Sequence, residues 1–587
     1  MPVDFRNTNT LWASVAVETL FYWGLRVAVV CPGSRSAPLA IAFAQHPGIE
    51  AIPILDERSA SFFALGVARR QHQPVALVCT SGTAGANFYP AVIEAHESQV
   101  PLLILTADRP PELRDCNAGQ AIDQQKLYGS FPNWYHEVAL PSPELPHLAY
   151  LRQTMVQACD RAQFPHPGPV HLNFPFRDPL VPLPHAEAAA IAQRFPPAFF
   201  SAVRPTAFQS TGVPPSSIRL PLSIPPDRRG ILVAGPAQPA DPHRYCEAIA
   251  HLSQTLGFPV LAEALSPLRN YAALNPYLIS TYDLLLRDRA LATELAPDFV
   301  IRIGEMPTSK ELRLWLQHTQ PEVWAIDEGD RNLDPLHLRT IHLPLCLEQL
   351  VATLPCSPPL ACPPSPYLKS WCHAEEAARR SLQTHFAAME ELLEGKVAWL
   401  LSQTLPENTP LFIANSTPIR DMEWFWQPGD RHIQPYFNRG ANGIDGTLST
   451  ALGIAHAANS QPTVLLTGDL ALLHDTNGFL IQSHCRGHLT IVLINNNGGG
   501  IFEILPVSQF DPPFEEFFAT PQNVEFAKLC ATYGVDYEHI QSWQHLAQRV
   551  SQLPQEGIQV LEVRCDRKQN ARWLQENLPK FGPSVDR

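Results

Sequence analysis

Twice along the chain the same order of segments recurs, and that repetition limits the fold more than any single motif. GLRVAVVCPGSRS (24–36) is answered by TPLFIANSTPIR (409–420), each an apolar strand ending in a small polar loop with an arginine. IPILDERSASFFALGVARR (52–70) is answered by QPYFNRGANGIDGTLSTALGIAHAA (434–458), a short strand, a polar turn and then an Ala-rich helix. QPVALVCTSGTAG (73–85) pairs with QPTVLLTGDLALL (461–473), and VPLLILTADRP (100–110) with HLTIVLINNNGG (488–499). Apolar strands alternating with helices predict an α/β chain, with doubly wound parallel sheets carrying helices on both faces.

A third set of strand-like segments, RRGILVAGPAQP, APDFVIRIGEMP and PEVWAIDEG, lies between the two halves and predicts one more α/β unit. Two proline-rich stretches separate the units, and such segments suit semi-rigid connections better than a packed interior. The expected organisation is an N-terminal domain over 1–180, a linker over 181–227, a central domain over 228–350, a linker over 351–367 and a C-terminal domain over 368–587. At 587 residues the chain is too long for a single core.

Composition excludes several classes of function. A formal charge of -14 argues against nucleic acid, because phosphate binding needs concentrated Lys and Arg. Any anionic substrate must be met by local basic residues. The 12 cysteines are scattered without a C-x-x-C pair, which indicates neither a zinc site nor a disulfide framework and points to a reducing compartment. MPVDFRNTNTLWASVAVETL reads as an amphipathic helix rather than a signal peptide. No apolar run of the length of a membrane span is present, and a cytoplasmic location is expected.

The segment LTIVLINNNGGGIF (489–502) places three asparagines and three glycines directly after a buried strand. In open α/β sheets ligands bind at the carboxyl ends of strands, yet Asn and Gly are also ordinary turn residues. A partner appears in TGDLALLHD, where Gly468 and Asp469 end the preceding strand. One strand–helix–strand unit would bring Asp469 and Asn496 to neighbouring strand ends. A carboxylate, an amide oxygen and a backbone carbonyl are hard ligands suited to Mg²⁺ or Ca²⁺. Mg²⁺ keeps positions open for phosphate oxygens, and the helix N-terminus after Gly468 favours the same anion.

This GD…NN pair resembles the thiamine diphosphate and metal signature of the enzymes that use that cofactor. The resemblance implies a three-domain architecture with metal ligands at Asp469, Asn496 and Gly498, holding Mg²⁺ or Mn²⁺ against the diphosphate. Further cofactor contacts would come from Ser416, Gly468, Leu470, Ala471, Ile501 and Phe502, and from Ile444 as the apolar support on which the cofactor bends. The usual third glycine of GDG is Leu470, a departure that leaves the metal ligands intact. Glu57 would serve the pyrimidine ring, promoting the tautomer whose amine deprotonates thiazolium C2. Its alternative role is an acid in the first turn of a helix, where acids are favoured. Because carboxyl and metal lie in different blocks, the family's sites are completed between subunits, which implies a homodimer or a dimer of dimers.

Within those enzymes CPGSRSAPLAIAF, DERSASFFALGVA, TSGTAGANFYPAVIEA, LTADRPPELRDCNAGQAID, NRGANGIDGTLSTALGIA and INNNGGGIF closely resemble one family. It is that of the 2-succinyl-5-enolpyruvyl-6-hydroxy-3-cyclohexene-1-carboxylate synthases of menaquinone and phylloquinone biosynthesis. The implied activity is that of a transferase joining 2-oxoglutarate, with loss of CO₂, to isochorismate. Positions matching the family's substrate contacts are Ser34, Arg35, Gln120, Lys310, Ser416, Arg420 and Arg439; of these Arg35, Gln120, Arg420 and Arg439 join Glu57 as expected catalytic residues. Arg420 and Arg439 would suit the succinyl side, and Arg35, Gln120 and Lys310 would suit isochorismate. Arg109 reads as a solvated ion pair. Glu311 stands where a second basic residue can follow the lysine, and Gly119 where an asparagine can occur. Other readings are a 2-oxoacid decarboxylase, an acetohydroxyacid synthase-like carboligase, and a non-catalytic nucleotide-binding protein of the same fold.

Overall fold

The structure, a computed structural model, describes residues 3–205, 228–329, 331–352, 364–458 and 461–582. Three six-stranded sheets follow one another, and every pairing within them is parallel. The first contains β1 (Val27–Val30), β2 (Glu50–Pro53), β3 (Val75–Cys79), β4 (Leu102–Asp108), β5 (Trp134–Glu137) and β6 (Pro169–Pro175). The second contains β7 (Gly230–Ala234), β8 (Val260–Ala262), β9 (Leu278–Ile279), β10 (Phe299–Ile303), β11 (Glu322–Asp327) and β12 (Arg339–Pro344). The third contains β13 (Pro410–Ile413), β14 (Gln434–Tyr436), β15 (Thr463–Gly468), β16 (His488–Asn495), β17 (Asp536–His539) and β18 (Gly557–Arg564).

The duplication read from the sequence extends to topology. The first sheet runs β2-β1-β3-β4-β6-β5 and the third β14-β13-β15-β16-β18-β17, the same order strand for strand. The central sheet runs β12-β11-β10-β7-β8-β9, with a different order. The central strands β3, β4 and β16 are buried along almost their whole length, as expected of strands covered on both faces. In the third sheet the chain reverses its direction of growth between β13 and β15, which leaves a crevice above their carboxyl ends.

The two outer units meet through equivalent helices. Glu57–Gln71 follows β2, Thr447–Ala458 follows β14, and the two cross at very short range. A Cβ on Gly66 would lie 2.1 Å from the Thr450 carbonyl oxygen, and one on Gly453 would lie 2.1 Å from that of Phe63. Only glycine permits this approach of backbone to backbone. The surrounding core is continuous between the halves, including Phe62, Phe63, Val67, Leu448, Leu452 and Phe479.

Two segments differ from their sequence reading. The helix Thr8–Trp23 is not amphipathic: every residue from Asn9 to Leu20 is buried, because the helices Ala37–Gln45, Leu145–Gln163 and Ala186–Ala192 all pack against it. The last of these falls in the proline-rich stretch 181–227, part of which is packed, with Ala188, Ile191, Phe199 and Val203 in the N-terminal core. Residues 206–227 and 353–363 of the two proline-rich stretches lie outside the described residues.

The helix Pro366–Ala388 joins the central and C-terminal units. Its Trp371 and Ala378 enter the central core, while Leu382 and Phe386 enter the C-terminal one. Glu375 on the same helix accepts from the backbone N–H and hydroxyl of both Ser280 and Thr281, at 2.5 to 3.0 Å. Such a fully satisfied buried carboxylate fixes the helix against the central sheet. Among the described residues all ten cysteines are unpaired. No helix there is long and apolar enough to cross a membrane.

Candidate active site

The three asparagines at the end of β16 do three different jobs. Asn495 donates to Glu562 of β18 at 2.6 Å and accepts the Asn497 N–H at 3.1 Å, closing the turn. Asn497 takes a left-handed conformation at φ 56° and pairs with Asn523. Asn496 turns inward at 7% exposure and donates through Nδ2 to Glu394 at 2.8 Å, while its Oδ1 is buried with no hydrogen-bond partner. An unpaired buried amide oxygen costs about 1–3 kcal/mol, so the geometry fits a ligand atom presented to a cation.

Asp469, 4% exposed, directly follows β15 beside this loop. Its Oδ2 accepts the Gly498 N–H at 2.8 Å and its Oδ1 accepts the Leu470 N–H at 2.9 Å. Burial raises its pKa to about 6 against the opposing pull of these backbone donors. Gly498 has φ 141°, and a Cβ there would meet the Ala519 carbonyl oxygen at 2.3 Å, so this glycine is required. A Cβ on Gly468 would meet open space, where backbone could approach a diphosphate. The carboxylate, the orphaned amide oxygen and the glycine-rich backbone thus fit a divalent cation with an attached diphosphate. Leu470, Ala471, Ile501 and Phe502 flank these ligands at the starts of the short helices Asp469–Leu473 and Gly500–Glu503.

At the end of β13, Ser416 holds φ 76° and ψ -129°, a conformation that non-glycine residues rarely adopt. Strain of this kind persists where the surroundings impose it and is concentrated at functional sites. The Ser416 carbonyl accepts from Arg420 at 2.6 Å. Arg439 follows β14 and donates to Asn415 Oδ1 at 3.0 Å and Thr308 Oγ1 at 3.3 Å. Asn415 in turn donates to the carbonyls of Asn438 and Gly443, both at 2.7 Å, which ties down the loop that carries Ile444.

Burial, then the neighbouring charges of Arg439 and Arg313, hold the Arg420 guanidinium below its ordinary range. Lys310 and Arg313 lie in the first turn of the helix Lys310–Thr319, where a cation opposes the helix dipole. Arg313 donates to the Thr308 carbonyl at 3.3 Å, so Thr308 connects Arg313 with Arg439. Cations brought together in this way suit an anion of more than one carboxylate.

The N-terminal candidates form a separate group. Arg35, after β1, donates to the Phe176 carbonyl at 2.9 Å, and its Nε is buried without a partner. Burial, then the nearby Arg109 charge, lower its pKa. Arg109 is not a solvated ion pair: it donates to Ser81 Oγ at 2.8 Å and the Gly119 carbonyl at 2.7 Å. Gln120, at φ 57°, donates to the Ser81 carbonyl at 3.0 Å and accepts from Ser81 Oγ at 3.0 Å. Ser34 is exposed nearby. Glu57 opens the helix Glu57–Gln71, whose cap is supplied by Asp56 through Ser59 N–H. Its half-buried carboxyl has no hydrogen bond or ion pair among the described residues.

Among the described residues, no hydrogen bond or ion pair joins Ser34, Arg35, Glu57 or Gln120 to Ser416, Arg420, Arg439, Asp469 or Asn496. The halves instead connect elsewhere: Arg58 donates to the His474 carbonyl, and Glu94 accepts from the Gly440 and Ala441 N–H groups. Sequence reasoning missed Asn415, Thr308, Arg313, Glu394 and the partners of Arg109. Only Arg313 left a signal, a second cation at a helix start.

Comparison with known proteins agrees with this geometry. Residues 12–127 match the thiamine pyrophosphate enzyme N-terminal TPP binding domain, 225–413 the middle domain of thiamine pyrophosphate enzymes, and 423–563 the C-terminal TPP binding domain. A 2-succinyl-5-enolpyruvyl-6-hydroxy-3-cyclohexene-1-carboxylate synthase from Nostoc sp. is 60% identical over 592 residues, covering 99% of each chain. The protein of the same name from Gloeothece citriformis is 60% identical over 99% of this chain and 100% of its own. That from a Synechococcus sp. is 54% identical over 98% of this chain and 96% of its own. With every unit matched and near-complete coverage on both sides, the chain belongs to the 2-succinyl-5-enolpyruvyl-6-hydroxy-3-cyclohexene-1-carboxylate synthase family of thiamine pyrophosphate enzymes.

Proposed function

We propose that the chain decarboxylates 2-oxoglutarate with thiamine diphosphate and adds the resulting succinyl-carbanion equivalent 1,4 to isochorismate, as a transferase of menaquinone or phylloquinone biosynthesis. The observation that carries the reading is that, at the ends of the adjacent strands β15 and β16, Asp469 accepts the Gly498 N–H of the loop in which Asn496 Oδ1 is left orphaned. In it Asp469, Asn496 and the Gly498 carbonyl hold Mg²⁺ or Mn²⁺, and the open backbone at Gly468 receives the diphosphate. When bound, the cofactor supplies a thiazolium carbon able to attack a ketone and to retain the electron pair released with CO₂.

The chain's own residues then bind, orient and move protons. Glu57 would share a proton with the pyrimidine ring of the bound cofactor, and Ile444 would give it an apolar support. Arg420, Arg439 and Ser416 hold the distal carboxylate of 2-oxoglutarate, with Arg313 adding charge at the rim. Ser34, Arg35, Gln120 and Lys310 hold isochorismate, and Arg109 joins them because its charge lies close enough to Arg35 to lower the Arg35 pKa. A charge-assisted hydrogen bond is worth about 1.5–3 kcal/mol, so two or three of them fix a dianion firmly.

A site completed between subunits, as a homodimer or a dimer of dimers, belongs to the same reading: among the described residues no hydrogen bond or ion pair joins Glu57 to Asp469 or Asn496. The reading also places the enzyme in the cytoplasm with small-molecule partners only. Its test is CO₂ release from 2-oxoglutarate with thiamine diphosphate and Mg²⁺, with and without isochorismate, while isochorismate loss is followed by absorbance. Equal consumption of the two substrates is expected. Release that ignores isochorismate would make the protein a decarboxylase, and no release despite bound cofactor would replace 2-oxoglutarate by another oxoacid.

A further inference from the structure

An amide can offer a cation either its oxygen or, if flipped, its useless nitrogen. Nothing in the Asn496 side chain itself decides between the two. In this structure the decision is made from outside the loop. Glu394 opens the helix Glu394–Thr404, 102 residues away in sequence, and is 1% exposed. Its Oε1 accepts from Asn496 Nδ2 at 2.8 Å. An ionised carboxylate facing an amide can be satisfied only by the N–H side, so the flipped form would set oxygen against oxygen in a buried site.

The packing leaves room for this one contact. A Cβ on Gly500 would sit 2.5 Å from Asn496 Nδ2 and 3.5 Å from Glu394 Oε1, so the third glycine of the loop leaves room for this hydrogen bond. On the opposite side Asn496 Oδ1 is buried without a partner. Glu394 makes no other hydrogen bond among the described residues, and its second oxygen is also unpartnered.

We propose that Glu394 is a positioning residue for metal binding, fixing the Asn496 amide so that Oδ1 faces the cation. It neither touches the cation nor takes part in the reaction. The inference rests on the thiamine diphosphate and metal reading of Asp469 and Asn496, and the experiment separates the two. Outer-shell partners of this kind typically change metal affinity by about 10–100-fold when removed.

The measurement is Mn²⁺ binding in the presence of thiamine diphosphate, read from the electron paramagnetic resonance signal of free Mn²⁺, with thermal unfolding as a check of folding. Wild type should bind; failure to bind would overturn the metal reading and the proposal with it. Glu394→Ala should weaken Mn²⁺ by about 10–100-fold, whereas Glu394→Gln, which keeps an acceptor and loses the charge, should stay within about threefold of wild type on the same argument. Wild-type affinity in Glu394→Ala would overturn the proposal while leaving the metal reading intact. Equal weakening in the Ala and Gln variants would also overturn it, since charge rather than orientation would then be at work. If Glu394→Ala does not fold, a reversed pair decides. Asn496→Asp combined with Glu394→Gln restores a donor facing an acceptor and should bind Mn²⁺ more tightly than Asn496→Asp alone. No gain from the second substitution would sink the proposal.

Discussion

Asn415 accepts the Nη1 hydrogen of Arg439 at 3.0 Å while giving both of its own amide hydrogens to backbone carbonyls on the 438–443 loop. With both donors committed, its oxygen has a single orientation, and Arg439 is aimed by it. Asn415→Ala should lower kcat/KM for 2-oxoglutarate by about 10–100-fold, the loss of one charge-assisted hydrogen bond. Steady-state kinetics at saturating isochorismate checks this, and a value within twofold of wild type would rule out an aiming role.

Arg313 should show opposite effects on stability and on binding. It sits in the first turn of its helix against the dipole, so Arg313→Ala should leave the apo protein as stable or more stable, by about 0.3–1 kcal/mol. The same change removes an exposed cation from the Arg420 and Arg439 group and should raise the 2-oxoglutarate KM by up to about fivefold, less at high salt. Thermal unfolding without ligand, paired with KM at two ionic strengths, tests both halves. A destabilised apo variant with unchanged KM would contradict it.

Glu57→Gln should fold normally, since no hydrogen bond or ion pair of the described residues holds its carboxyl. Turnover should fall by about two to four powers of ten, the scale of a lost general acid or base. Full activity in the variant would remove Glu57 from the mechanism.

Asp475 links the halves: it accepts from Ser449 N–H at 2.7 Å, Ser449 Oγ at 3.0 Å and Ser59 Oγ at 3.3 Å. Burial raises its pKa from 3.8 to about 6, against the pull of these donors. The folded protein therefore holds a proton that the unfolded chain releases, so its contribution to stability is full below about pH 4 and is lost as pH rises to about 6. Asp475→Asn should lack this dependence. Denaturant unfolding of the two proteins at pH 4.5 and pH 7, each under linear extrapolation, should show wild type losing about 2 kcal/mol relative to the variant. Parallel pH profiles would refute the assignment.

The fold and half of the candidate site were legible for one physical reason. Buried parallel strands are apolar without interruption, and ligand-bearing loops must sit at their carboxyl ends, so β15 and β16 announced Asp469 and Asn496 by position. The residues bonded to Asn496 and Arg439 carried no such mark. Glu394 opens an ordinary helix, Asn415 looks like a turn residue, and Thr308 precedes a helix cap. Their roles come from side chains that meet across long stretches of chain, which local pattern does not record. The N-terminal helix, read as amphipathic, misled for a related reason: its polar residues Asn9, Thr10, Ser14 and Glu18 and its cap Asn7 are all buried. Asn7 and Asn9 satisfy backbone carbonyls of the 177–183 segment, and His46 pairs with Glu18.

The glycine crossing of Glu57–Gln71 with Thr447–Ala458 has a consequence for how the molecule is tied together. Both helices hold the same place in halves of the same strand order, and each offers a notch into which the other's backbone carbonyl enters. Contacts of that reciprocal kind are what two copies of one module form about a twofold axis. The polypeptide is in this sense its own dimer, joined covalently through the central unit. A chain severed between the outer halves would keep both faces of the lock intact, and the fragments should recognise one another without the tether.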